Sequence, residues 1–203
     1  LVVQPQFRGS SGFSKKLLEA GYGQWGKKMQ DDLTDTLALL VKEQLTDPDR
    51  ICIVGASYGG YAALAGAAFT PDLYQCALSI AGVSHLPAML KADKSRYGRD
   101  HEVLQYFERS ILDGKYDSDA LKEISPYFSA DRVTIPVLLM HGEDDTIVEY
   151  NQSKLMHRAL KKAGRDVELV KLKNEDHYLR EGSTRLQALQ TIVGFVDKHI
   201  GDR

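Results

Sequence analysis

Ile51-Cys52-Ile53-Val54-Gly55-Ala56-Ser57-Tyr58-Gly59-Gly60-Tyr61-Ala62-Ala63-Leu64 passes from an apolar, β-branched run through a glycine-flanked serine into small residues. That order reads as a buried strand, a tight turn and a helix able to lie close against a sheet. The serine occupies the centre of Gly-x-Ser-x-Gly, Gly55 to Gly59, a spacing that gains meaning in a strand–turn–helix setting. A serine at such a turn is expected in a strained backbone conformation, with nothing bulky two residues away on either side. The turn would lift its hydroxyl above the strand ends and aim first-turn N–H groups at developing negative charge. An ordinary strand-to-helix turn with a capping serine has the same local composition, so the neighbouring segments must separate the two.

Upstream, residues 1–7 are apolar and strand-like and end in the loop Arg8-Gly9-Ser10-Ser11-Gly12. A short helix is expected over 14–20, stopped by Gly21. Met29, Leu33, Leu37, Leu40 and Val41 recur with a helical period over 27–45. Downstream, 61–69 is an alanine-rich helix, and a second buried strand lies within 73–83 around Cys76-Ala77-Leu78-Ser79-Ile80. Residues 84–132 are the least regular part, with helices expected at 101–111 and 118–123. A third strand, 135–140, runs into His141-Gly142-Glu143-Asp144-Asp145. A helix over 149–163, a fourth strand over 167–172, the loop to His177 and a closing helix over 186–200 complete the chain. Strands alternating with helices predict a mostly parallel α/β sheet flanked by helices.

A chain of 203 residues, 43% hydrophobic and 27% charged, is of ordinary size for one globular domain. Its net charge of −2 offers no electrostatic basis for binding nucleic acid or an anionic membrane. No apolar run approaches the length of a bilayer-spanning helix. Cys52 and Cys76 lie in two apolar strands and are expected as buried free thiols rather than a disulfide. The chain opens on Leu1-Val2-Val3 with no methionine, which looks like a cut within a longer parent. Cytoplasmic and periplasmic or secreted locations therefore both stay open.

Open α/β sheets carry their reactive groups beyond the carboxyl ends of the strands. Ser57, Asp145 and His177 each follow a predicted strand, and their order along the chain is Ser, Asp, His, the triad order of α/β-hydrolases. In that arrangement His177 takes and returns the Ser57 proton, and Asp145 fixes the imidazole tautomer. The N–H of Tyr58 would be one oxyanion donor. His85 is the second choice for the base and Asp144 for the acid, while His141 reads as structural and His101, His157 and His199 as surface residues. No recognised metal-ligand spacing joins His141, Asp144, Asp145 and His177, so no metal or other cofactor is expected.

The chain resembles the C-terminal part of the catalytic domain of the prolyl oligopeptidase family of serine peptidases. The resemblance rests on Arg8-Gly9-Ser10-Ser11-Gly12, Trp25-Gly26, Asp32-Leu33, Gly55 to Tyr61, His141-Gly142-x-x-Asp145-x-x-Val148, Gln152-Ser153 and Glu175-Asp176-His177. It implies an α/β-hydrolase fold and a serine peptidase acting on short peptides through Ser57, Asp145 and His177 by way of an acyl-enzyme. Tyr58, Ile147 and Val148 would line the substrate site, and Arg8, Trp25 and Asp32 would be scaffold. Many prolyl- and dipeptidyl-cleaving relatives carry Arg or Asn where this chain has Ile147, so an acylaminoacyl- or oligopeptidase-like preference is equally open. A carboxylesterase of the same fold and a catalytically silent interaction domain are the alternatives.

The resemblance further implies that residues 1–203 form one N-terminally truncated domain lacking the first strands, the second oxyanion loop and a β-propeller. It leads us to expect a continuous four-strand parallel core, with residues 1–7 displaced or unusually paired. Weak activity in isolation and self-association through unpaired strand edges would follow.

Overall fold

The computed structural model describes residues 1–114 and 116–201. In chain order the helices are α1 (Lys15–Glu19), α2 (Lys28–Lys42), α3 (Tyr58–Phe69), α4 (Leu86–Tyr97), α5 (Glu102–Leu112), α6 (Ser118–Glu123), α7 (Asn151–Lys162) and α8 (Gly182–Ile200). The strands are β1 (Cys52–Ala56), β2 (Cys76–Ile80), β3 (Val137–Gly142) and β4 (Val167–Leu172). The chain divides into two compact units, one of residues 1–47 and 86–125, the other of 48–85 and 126–203.

The second unit holds the sheet. Its order is β1-β2-β3-β4 and every pairing is parallel. Alternation along the strands feeds two apolar layers. Ala77, Val137, Leu139 and Val167 pack with Leu64, Ala67 and Ala68 of α3 and Met156 and Leu160 of α7. Leu78 and Leu138 pack on the opposite face with Phe195 of α8, and Met140 and Leu172 with Ala188 of the same helix. The result is a helix–sheet–helix sandwich, as expected for crossovers that cover both faces of a parallel sheet. β3 is buried at every residue, whereas β1 at the end of the sheet exposes Val54.

The first unit is helical. Ser14 caps α1 by accepting the Leu17 N–H at 3.0 Å, and Asp117 caps α6 by accepting from Asp119 and Ala120. α4 packs on α5 and on α6. Arg8 makes a paired contact with Asp32, Nε to Oδ2 at 2.7 Å and Nη2 to Oδ1 at 2.5 Å, and Trp25 Nε1 donates to Ser110 Oγ at 3.1 Å. No helix among the described residues is long and apolar enough to cross a membrane.

Three expectations require correction. Residues 1–7 form no strand: Leu1 and Val2 are exposed, Pro5 lacks an N–H, and a strand exists only where a ladder partner does. α4 arises in the irregular stretch, where a helix that buries only Leu86, Met89, Leu90 and Asp93 shows little amphipathic signal. Finally, Cys52 and Cys76 are joined in a disulfide. The two are direct partners in the β1–β2 register, which brings their Cα atoms within 4.7 Å. Composition alone could not reveal that register.

Candidate active site

Ser57 follows β1 with φ 56° and ψ −118°, a sparsely populated conformation for a residue with a side chain, costing about 1–3 kcal/mol. Two features hold it there. Its N–H donates to the Ile80 carbonyl at 2.8 Å, and its own carbonyl accepts the Tyr61 N–H, starting α3. Close packing supports the turn from beneath. A Cβ on Gly55 would collide with the backbone carbonyl of Gly59, and one on Gly60 would lie 2.7 Å from Gly82 Cα and 2.9 Å from the Ile80 oxygen. A Cβ on Gly59 meets nothing within 4 Å beyond its own helical turn, so the crowding falls on Gly55 and Gly60 rather than evenly about the serine.

Asp145 sits in the turn after β3, and His177 in the loop after β4. The loops touch because Gly142 has no side chain: a Cβ there would meet the carbonyls of Glu175 and Asp176, the latter at 2.8 Å. Backbone bonds from Asp144 N to Glu175 O at 3.0 Å and from Glu143 N to Leu172 O at 2.9 Å tie them. His177 Nδ1 lies 2.6 Å from Asp145 Oδ2, and its Nε2 lies 3.0 Å from Ser57 Oγ. Since the carboxylate only accepts, Nδ1 carries the hydrogen and Nε2 faces the serine hydroxyl as an acceptor.

The Asp145 carboxylate is buried and surrounded by donors. Oδ1 accepts from Ile147 N at 2.8 Å and Val148 N at 2.9 Å, and Oδ2 faces both His177 and, at 3.3 Å, His141 Nε2. Burial by itself pushes the carboxyl upward, but bonds from His141, His177 and the two backbone N–H groups outweigh it and hold the group well below the usual carboxylate range. His141 is wholly buried, with Nδ1 2.7 Å from Ser153 Oγ and Nε2 2.8 Å from the Val148 carbonyl.

The sequence-predicted residues thus fall into two groups. Ser57, Asp145 and His177 come together, with Tyr58 as the first residue of α3 beside the serine. Ile147 is 47% exposed beside the acid, whereas Val148 is buried and serves Asp145 and His141 through its backbone. Asp144 is exposed. His85 packs its ring on Tyr127 and Phe128, and its backbone is held by Gln152. Sequence reasoning gave no role to Gln152 or Ser153. Gln152 Oε1 accepts from Ser84 N and His85 N, and Ser153 reaches His141. Their adjacency in Gln152-Ser153 was the only sign of this. Among the described residues no group of three or more His, Cys, Asp or Glu could hold a metal ion.

The sequence profile of the prolyl oligopeptidase family matches residues 1–203. Dipeptidyl aminopeptidase BIII of Pseudoxanthomonas mexicana is 33% identical over 204 residues, covering 100% of this chain and 29% of that protein. Dipeptidyl peptidase family member 6 of Caenorhabditis elegans is 31% identical over 201 residues, 98% of this chain and 27% of its own length. Among solved structures, a Mycobacterium tuberculosis puromycin-hydrolyzing peptidase superposes with a TM-score of 0.87 at 28% identity, over 98% of this chain and 29% of that one. The chain therefore spans under a third of the length of these relatives.

Proposed function

The chain belongs to the prolyl oligopeptidase family, and from that premise we propose that it carries the catalytic serine, acid and base of a serine peptidase acting on short peptides. The observation that supports this most directly is the unbroken chain from Ser57 Oγ through His177 to Asp145, with separations of 3.0 and 2.6 Å. Ser57 Oγ attacks the scissile carbonyl carbon while its proton passes to His177 Nε2. The carbonyl oxygen takes the negative charge and is met by the N–H of Tyr58, at the positive end of α3. His177 then returns the proton to the departing amine nitrogen, the C–N bond breaks, and the acyl group remains on Ser57. Water, deprotonated by His177, attacks the ester carbonyl; His177 then returns that proton to Ser57 Oγ as the acyl C–O bond breaks, releasing the acid and the free serine. Asp145, held as the anion by its donors, keeps His177 in the tautomer that both transfers need.

Ile147, exposed beside the acid, is the substrate-facing member of the turn, with Tyr58 on the serine side. An apolar side chain there favours an apolar acyl-side residue over a charged amino terminus. The experiment compares aminoacyl-naphthylamides, N-acylated peptides and p-nitrophenyl esters as substrates of the full-length protein. Amide hydrolysis that disappears in Ser57→Ala is the expected result. Hydrolysis of esters alone would replace the peptidase reading with a carboxylesterase.

A further inference from the structure

The proposed reaction uses one histidine, but Asp145 touches two. His141 closes β3 from the inside, fully buried, with its ring edge-on to Tyr150. Its polar contacts fix its hydrogens. The Val148 carbonyl can only accept, so Nε2 carries the hydrogen, and Nδ1 is left to accept from the Ser153 hydroxyl. The same Nε2–H also faces Asp145 Oδ2, the oxygen that receives His177. His141 therefore grips the acid-bearing turn at two points, its carboxylate and the carbonyl of Val148. Val148 in turn donates its N–H to the other carboxylate oxygen.

We infer that His141 is a positioning residue for the Ser57 nucleophile, acting through Asp145 to fix where His177 stands. The inference rests on the serine hydrolase reading above. A core histidine that merely fills space has no need of a donor on the catalytic carboxylate. Here the Val148 carbonyl keeps the hydrogen on Nε2, and Ser153, in the first turn of α7, bonds Nδ1 and fixes the ring's orientation. Loss of that donor leaves Asp145 Oδ2 with a single imidazole partner and lets the carboxylate rotate about its backbone bonds. Ser57 then becomes a weaker nucleophile without any change in substrate contact.

The test measures, in the full-length protein, the rate constant for phosphonylation of Ser57 by an alkyl fluorophosphonate, normalised to the number of reactive sites titrated at saturation. His141→Phe retains the ring packing on Tyr150 and removes both nitrogens. It is expected to slow the reaction per reactive site by about 10–100-fold, the scale of one hydrogen bond to a charged group, with KM for peptide substrates little changed. His141→Gln, whose amide N–H reaches the same place, should recover to within about threefold of the parent. An unchanged rate per site in His141→Phe, or equal losses in the Phe and Gln variants, would overturn the inference. Should His141→Phe fail to fold, His141→Met, which also lacks a donor, decides: a slower rate per site than in His141→Gln supports the positioning role, and an equal rate refutes it. Labelling that persists in Ser57→Ala would instead sink the underlying reading, and the inference with it.

Discussion

β1 runs directly into Ser57 and β3 into the turn that carries Asp145, yet the two are fixed by opposite means. β3 has a ladder on both sides, buries every residue and leaves only its following turn to be placed. Hydrogen bonds do that placing: Ile147, Val148, His141 and His177 all converge on Asp145. β1 has one ladder partner among the described residues and exposes Val54. Its accuracy comes from the Cys52–Cys76 bond at one end and from close backbone packing at Gly55 and Gly60 at the other. A central strand can leave positioning to polar contacts in its loop. β1, which leads into the strained residue, draws on covalent and steric constraint.

The comparison breaks most sharply at the reacting atoms. Ser57→Ala should lower turnover by on the order of 10⁶-fold, His177→Ala should fall almost as far, and the double variant should lose little more than either. Additive losses, measured as kcat, would show that the two residues do not act as a unit. Next in size is the contact between the two loops. Gly142→Ala places a methyl against the Glu175 and Asp176 carbonyls and pushes His177 away from Ser57. Since a misplacement of about 1 Å can cost 10²-fold, kcat should drop by roughly that factor with the fold retained by circular dichroism. Retained kcat would mean that the loops do not need this close approach.

On the β1 side the expected effect is on stability. The disulfide encloses the elbow and α3 in one loop, with a sequence separation of 24. Replacing both cysteines with serine should cost about 2–4 kcal/mol, or roughly 4–16 °C in Tm, with a smaller change in kcat. An unchanged Tm would show that packing alone holds β1. The smallest effect is in acid. Asp145 is held below its usual range, so its contribution is complete above the unfolded pKa, about 4, and is lost as pH falls through the folded value. Asp145→Asn should flatten that part of the stability–pH curve, and an identical curve would show that the carboxylate is not held as an anion.

Much of this was legible before any coordinates. The parallel sheet followed from alternating segments, and the Ser57, Asp145 and His177 set from positions after strands, because strand ends and chemistry-bearing loops leave local signals. What escaped depended on register and packing. Cys52 opposite Cys76 is a pairing between strands, invisible to composition. The contact of His141 with Asp145 requires the turn to fold back by four residues, which no local pattern announces. Residues 1–7 carry strand-like apolar character but no ladder, and α4 lies in a stretch whose mixed periodicity conceals a helix.

The central claim is that Ser57 is an activated nucleophile. Intact and peptide mass spectrometry of the full-length protein after reaction with an alkyl fluorophosphonate tests it most directly. The account predicts one adduct per chain, located on Ser57, absent in Ser57→Ala and formed far more slowly in His177→Ala. An adduct on another residue, or none on folded protein, would contradict it.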